Sequence, residues 1–123
     1  KMVVMVRREQ KDQMGVLAQS APPYTDWTYK KINMRLGGPN FIFHKDKMII
    51  GSRLYTPEGH LTGVVVADLN GNILKTIKLP SKGDNSYPGM LMHDGKLLFT
   101  YYSSHEGKTS IYLAEIDEKE LNP

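Results

Sequence analysis

The chain has 123 residues, room for one domain of ordinary size. Apolar residues make up 40% and charged residues 24%, a globular balance that excludes a disordered or fibrous chain. Sixteen Lys and Arg against thirteen Asp and Glu leave +3, too slight to argue for nucleic acid, and the absence of Cys excludes a disulfide framework, a zinc–thiolate site and a cysteine nucleophile.

Eleven Gly, seven Pro and seven Tyr suit a turn-rich β chain. The first strands are expected near 2–8, 15–20 and 28–32. A complete set of four follows at 40–44, 47–54, 62–68 and 72–79, with Lys45-Asp46 and Asn70-Gly71 as turn pairs. A last set lies near 87–93, 96–102 and 109–116, before a charged tail. No stretch carries a 3.6-residue period, and the longest apolar run is too short to cross a bilayer. No signal peptide is visible, and Lys1-Met2 reads as mid-strand, as in a fragment or a mature chain without its front.

The strands repeat. Lys1–Arg7 aligns with Lys47–Arg53 at an offset of 46, and Lys96–Tyr102 follows 49 further on. Gly15–Ser20 matches Gly63–Asp68, and Ser110–Glu115 continues the series. Pro39 and Pro88 stand 49 apart, as do His44 and His93. A β-sandwich with accidental similarity is one reading. Four-stranded units of this length are the size of propeller blades, and the match at two separate strands favours them. The expected fold is therefore all-β: a partial β-propeller of four-stranded antiparallel blades, with units over 1–33, 38–80 and 85–117 in a single domain. About two and a half blades cannot close a ring. The other blades would come from missing chain or from copies that assemble.

Equivalent positions in successive blades sit around one ring. Arg7 and Arg53 should therefore reach the same rim, as a clamp for a carboxylate or as two solvated arginines. Arg8 should face the other side of its strand. Asp84-Asn85-Ser86-Tyr87-Pro88-Gly89 enters the innermost strand of the last unit, and Gly37-Gly38-Pro39-Asn40 holds the matching place before it. Asp84 and Asn40 are thus candidate substrate contacts. Pro88 should hold Tyr87 extended at the channel mouth. A tyrosine beside two arginines has its phenolate stabilised and can act as a nucleophile; packing through its ring is the alternative. His105 and Glu106 are adjacent, which rarely lets two groups converge on one atom, and a hairpin loop explains them equally. The four His lack metal-ligand spacing. Trp27 and Tyr24 read as packing or rim aromatics, or a sugar platform.

These residues resemble the sialidase superfamily over about residues 1–116. Ser20 and Trp27 keep the spacing of the family's Asp box, Ser-x-Asp-x-Gly-x-x-Trp, with Pro22 and Tyr24 at its Asp and Gly positions. Arg7 and Arg53 resemble the second and third arginines of the family's carboxylate-binding triad. Tyr87 resembles its nucleophile. The run from Ser86-Tyr87-Pro88-Gly89 to Ala114 looks like the closing part of bacterial exo-sialidase-like proteins.

The resemblance implies a six-bladed propeller and a retaining exo-α-sialidase-like glycoside hydrolase. Its substrate would be a sialylated glycan or another acidic sugar, it would need no cofactor, and it would be secreted or periplasmic. Arg7 and Arg53, with Asn40 and Asp84, would bind substrate, and Tyr87 would attack it. Family members carry the first arginine and the general-acid aspartate in early blades, and a glutamate that assists the tyrosine ahead of the second arginine. None of these lies in this chain, so the residues alone are expected to be inactive. A non-catalytic propeller that binds glycan or protein, or a hydrolase for another acidic sugar, is the alternative.

Overall fold

The structure, a computed structural model, describes residues 1–123. Ten strands form three antiparallel sheets, each a meander whose spatial order is its chain order. The first sheet holds β1 (Met2–Val6), β2 (Met14–Ser20) and β3 (Thr28–Arg35). The second holds β4 (Asn40–His44), β5 (Lys47–Thr56), β6 (Gly59–Asp68) and β7 (Ile73–Lys78). The third holds β8 (Ser86–His93), β9 (Lys96–Ser103) and β10 (Ser110–Asp117). The charged tail is not a free tail. Glu118–Leu121 form a turn of 3₁₀ helix capped by Asp117, and Leu121 is buried in the core.

The second sheet lies between the other two, because both its faces are apolar. Strand alternation sends Ile49, Val64 and Val66 to one side, against Leu97, Phe99, Tyr101 and Ile116 of the third sheet. It sends Met48, Ile50, Val65 and Ala67 to the other, against Leu17 and Ile32 of the first. Runs such as Met48-Ile49-Ile50 and Val64-Val65-Val66-Ala67 are the sequence signature of strands covered twice. Gly51 marks where the third sheet comes closest: a Cβ there would stand 2.6 Å from both Phe99 and Pro88.

The pairing registers test the repeat directly. Val4 stands opposite Ala18 and Ile50 opposite Val65, so Leu17 matches Val64, an offset of 47. The apparent match of Gly15–Ser20 with Gly63–Asp68 is thus one residue out. A slip of one exchanges the two faces of a strand, and the burial of Leu17 against the second sheet confirms the corrected register. Between the second and third sheets the structure gives 49 in both strands, since Gly51 pairs with Val64 and Thr100 with Leu113, so the match of Gly63–Asp68 with Ser110–Glu115, at 47, is two residues out.

That offset also carries a bulge. Ser86 pairs with Tyr102 and Gly89 with Thr100, so Tyr87 and Pro88 together oppose one residue. In the second sheet the Arg53 amide donates to the Gly37 carbonyl at 2.8 Å, while Asn40 pairs with Gly51. The same two-against-one count recurs 49 residues earlier.

The outer turns obey one rule with different chemistry. The Ser20 hydroxyl donates to the Asp26 carbonyl at 2.7 Å, and the Trp27 indole donates to the Tyr24 carbonyl at 3.2 Å, which ties the loop to itself. In the second unit Asp68 Oδ1 accepts the amides of Asn70 and Asn72, and Oδ2 accepts the Asn72 side-chain amide. Asn70-Gly71 is therefore not a free two-residue turn. Gly71 alone has a positive φ, 84°, and the Asp68 carboxylate closes the loop. A Cβ at Gly71 would make only ordinary contacts with Ile32 and Leu17, so Gly71→Ala should cost about 1 kcal/mol, through its φ alone. A urea melt measures this, and an unchanged midpoint would contradict it.

The Asn72 side chain and the loop amides hold Asp68 below its ordinary pKa of 3.8. Asp12 is held low by Lys31, then by the Met14 amide and Arg8. A carboxylate depressed by folding stabilises the fold at pH values above its unfolded pKa and loses that contribution as pH falls through the folded one. The melting temperature should accordingly be flat near neutrality and fall below about pH 4. Asp68→Asn should flatten that acid limb, and an identical limb in the variant would count against this role.

Candidate functional site

The chain segment entering each sheet delivers the site to one rim. In the segment before β8, Asn85 is fully buried and fully used. Its Oδ1 accepts from Thr62 Oγ1 at 2.7 Å, its Nδ2 donates to the carbonyls of His60 and Gly83, and its carbonyl accepts from Arg53 Nε at 3.0 Å. Ser86 is also fully buried, its hydroxyl 3.0 Å from the carbonyls of Gly37 and Gly38. These two residues pin the third sheet's entry to the second sheet, and Tyr87 emerges from them.

Tyr87 is not extended. Its φ is 48°, in the left-handed region, although it precedes proline. The cause is the bulge, and the matching residue 49 positions earlier shows it: Gly38, also before a proline, has φ 52°. The same left-handed position before proline is filled by glycine in one unit and tyrosine in the next. Tyrosine pays about 1–3 kcal/mol of strain for a conformation that glycine adopts freely. Tyr87 is 60% exposed. It stacks on Tyr102 with centroids 6.0 Å apart and planes 9° off parallel. The backbone of Gly38 backs the ring, since a Cβ there would lie 3.0 Å from Tyr87 Cδ2.

A chain of contacts runs along this rim through all three sheets. Arg53, whose side chain is only 12% exposed, sets Nη2 3.5 Å from Asp84 Oδ1 and donates through Nη1 to the Tyr55 hydroxyl at 3.3 Å. Asp84 Oδ1 accepts from the Tyr102 hydroxyl at 2.9 Å. Burial, then the bond to Asp84, raises the Tyr102 pKa. On the other side the guanidinium carbon of Arg35 sits 3.9 Å above the centre of the Tyr55 ring. Arg35 Nη2 bonds Glu9 Oε2 at 3.3 Å, and Arg7 Nε bonds Glu9 Oε1 at 2.5 Å. The Glu9 hydrogen bond raises the Arg7 pKa, opposed in part by burial, and Tyr55 and Tyr87 lie close enough to act on it electrostatically.

Arg7, Arg53, Asp84 and Tyr87 are thus gathered on one rim, but not as a simple clamp. No carboxylate joins Arg7 to Arg53; Glu9 joins Arg7 to Arg35, and Asp84 serves Arg53. Asn40 is a strut between sheets: its Nδ2 donates to the Pro88 carbonyl at 3.0 Å and its Oδ1 accepts the Phe41 amide. Arg8 turns away to Asp12 and the Met14 carbonyl. His105 and Glu106 do not pair. His105 Nδ1 lies 2.8 Å from the Ser103 hydroxyl, and Glu106 accepts from the Tyr112 hydroxyl. No three His, Asp or Glu side chains come together in a way that could hold a metal ion. No helix is long and apolar enough to cross a membrane.

Glu9, Arg35 and Tyr55 were not singled out by the sequence. Arg35 had one available signal: it stands 49 positions before Asp84, at the matching place in its unit. Comparison of the chain with protein-family models, with curated proteins and with solved structures gives no match. The functional reading rests on the rim and on the resemblance of its motifs.

Proposed function

We propose that these residues form the nucleophile- and carboxylate-binding part of a sialidase-like, retaining glycoside hydrolase built on a six-bladed propeller, of which the three sheets are neighbouring blades. One observation carries the reading. Tyr87 is held by a strained, glycine-type backbone turn so that its phenol stands exposed on a rim that also presents arginines. Backbone strain is retained where a side chain must be aimed.

A sialoside carries a carboxylate on its anomeric carbon, which would repel a carboxylate nucleophile. A neutral tyrosine avoids that repulsion, and this is a recognised departure from the two-carboxylate plan of glycosidases. Tyr87 Oη forms a bond to the anomeric carbon while the bond to the leaving oxygen breaks. The phenolic proton passes to a base, and the leaving oxygen takes a proton from an acid; in the family a glutamate and an aspartate of other blades supply these. Water then attacks the same carbon and releases tyrosine, with retention overall. The arginines hold the substrate carboxylate. Secretion or a periplasmic location belongs to the same reading.

A specific observation favours a second reading, a module that binds acidic glycans without cleaving them. Arg53 spends all three guanidinium nitrogens on internal partners, Asn85, Tyr55 and Asp84. The test is hydrolysis of a fluorogenic α-sialoside by the intact protein, with a quenched reaction searched for a sugar mass on the Tyr87 peptide. Fluorophore release with that adduct supports the hydrolase. Binding without release favours the module.

A further inference from the structure

Two sheet faces have no neighbour in this chain, and the repeat says what kind of face each one is. On the outer face of the third sheet, Leu91, Leu98 and Leu113 stand 49 positions after Ile42, Ile49 and Val64, which pack the second sheet against the third. On the outer face of the first sheet, Met2 and Val4 stand 46 positions before Met48 and Ile50, and Ala18 stands 47 before Val65; these pack the second sheet against the first. The two open faces are therefore the opposite halves of one type of junction. Both are apolar and uncovered: Ile111 is 82% and Leu113 58% exposed on one, Met2 44% and Val4 38% on the other. Glu115, at the place of Val66, is the charged exception, and Lys96 lies 3.5 Å from it.

The fit of the two halves is written in residue size. Where the second and third sheets come closest, Gly51 faces Phe99. The matching places between the first and second sheets hold Met5 and Ile50, and Met5 packs against the core cluster that contains Ile50. On the two open faces the same places hold Thr100 and Val4. The smallest residue thus meets the largest, and residues of middling size meet each other, as close packing requires.

A chain that carries both halves can pair with its own kind head to tail, and such pairing closes into a ring when the rotation per copy allows it. Rings of packed four-stranded sheets hold about four to eight sheets. With three sheets in each copy, two copies fall in that range and three do not. We propose that two copies of this chain form a closed ring, the outer face of each third sheet lying on the outer face of the other copy's first sheet. The inference rests on the propeller part of the preceding reading and not on hydrolysis. The ring carries the Tyr87 rim twice, related by a two-fold axis.

Light scattering of the purified chain should give twice its 13.9 kDa. Leu113→Asp places a carboxylate in the joint and should raise the dissociation constant by about a hundredfold or more. Ile111→Asp, at a more exposed position, repeats the experiment if Leu113→Asp does not fold, and thermal melts check each variant. The chain has no Cys, so Val4→Cys and Thr100→Cys introduced together report the geometry. A short bis-maleimide should link two copies of the double variant and of neither single one. A monomeric wild-type chain overturns the inference, as does an open series of larger assemblies. Linking of Thr100→Cys alone, the mark of two third sheets face to face, overturns it too, and so does a folded Leu113→Asp chain that dimerises unchanged. A dimer linked as expected without sialoside turnover leaves the ring standing and removes the hydrolase. Turnover by a monomer does the reverse.

Discussion

Tyr87→Phe in the intact protein is expected to lower kcat for sialoside hydrolysis by about three orders of magnitude or more, with KM and melting temperature near wild type. The structure separates the proposed chemical role from the structural one. The Tyr87 hydroxyl makes no hydrogen bond within the chain, whereas its ring stacks on Tyr102 and lies against Gly38. Phenylalanine keeps the ring and its volume, so packing is retained. A tyrosine that only bound the sugar would lose at most ~1.5 kcal/mol, one neutral hydrogen bond, and would show it mainly in KM. Wild-type turnover by the variant would remove Tyr87 as nucleophile. A second substitution guards the conclusion: Tyr87→Gly relieves the backbone strain and should remain folded while equally inactive.

The largest expected effect on stability lies at Phe99. Its ring is fully buried between the second and third sheets, among Ile49, Val64, Val66 and Leu97. It meets Tyr101 with centroids 5.9 Å apart, and it lies close to Gly51, which leaves it room. Phe99→Ala should cost about 3–5 kcal/mol, the lost burial plus the cavity left behind. Gly51→Ala attacks the same contact by overpacking and should cost about 1–3 kcal/mol. Urea unfolding measures both. A loss below about 1 kcal/mol for Phe99→Ala would mean that this interface does not hold the sheets together.

The strands were legible because alternation and turn residues declare themselves locally. All ten expected strands exist, most within two residues of their expected ends. What escaped was everything decided by a third partner. Pro88 alone argues for an extended Tyr87, but the bulge, held by Ser86 on the carbonyls of Gly37 and Gly38, overrides it. Asn70-Gly71 looks like a self-sufficient turn, yet the carboxylate two residues earlier organises it. A one-residue slip hid in the match of Gly15–Ser20, where small apolar residues look alike in either register. Arg7, Arg53, Asp84 and Tyr87 share one rim, and the repeat or the segment entering the sheet is what marks them in the sequence. Glu9 lies in a loop with no counterpart in the other units. Arg35 could be found only by noticing that its counterpart, Asp84, carries the opposite charge.

The layered arrangement bears on when the rim exists at all. The second sheet is covered on both faces, while the first and third each have one apolar face without a neighbour in this chain, including Val4 and Val6 on one and Leu91, Ile111 and Leu113 on the other. Local opening therefore costs least in the outer layers and most in the middle one. Arg7, Glu9 and Arg35 ride on the first sheet, Arg53 and Tyr55 on the second, Tyr87 and Tyr102 on the third. When an outer layer loosens, it removes a whole group of site residues at once and leaves the others in place. Completeness of the rim is thus an equilibrium among three units, and any molecule that touches two of them draws those units together by its own binding free energy.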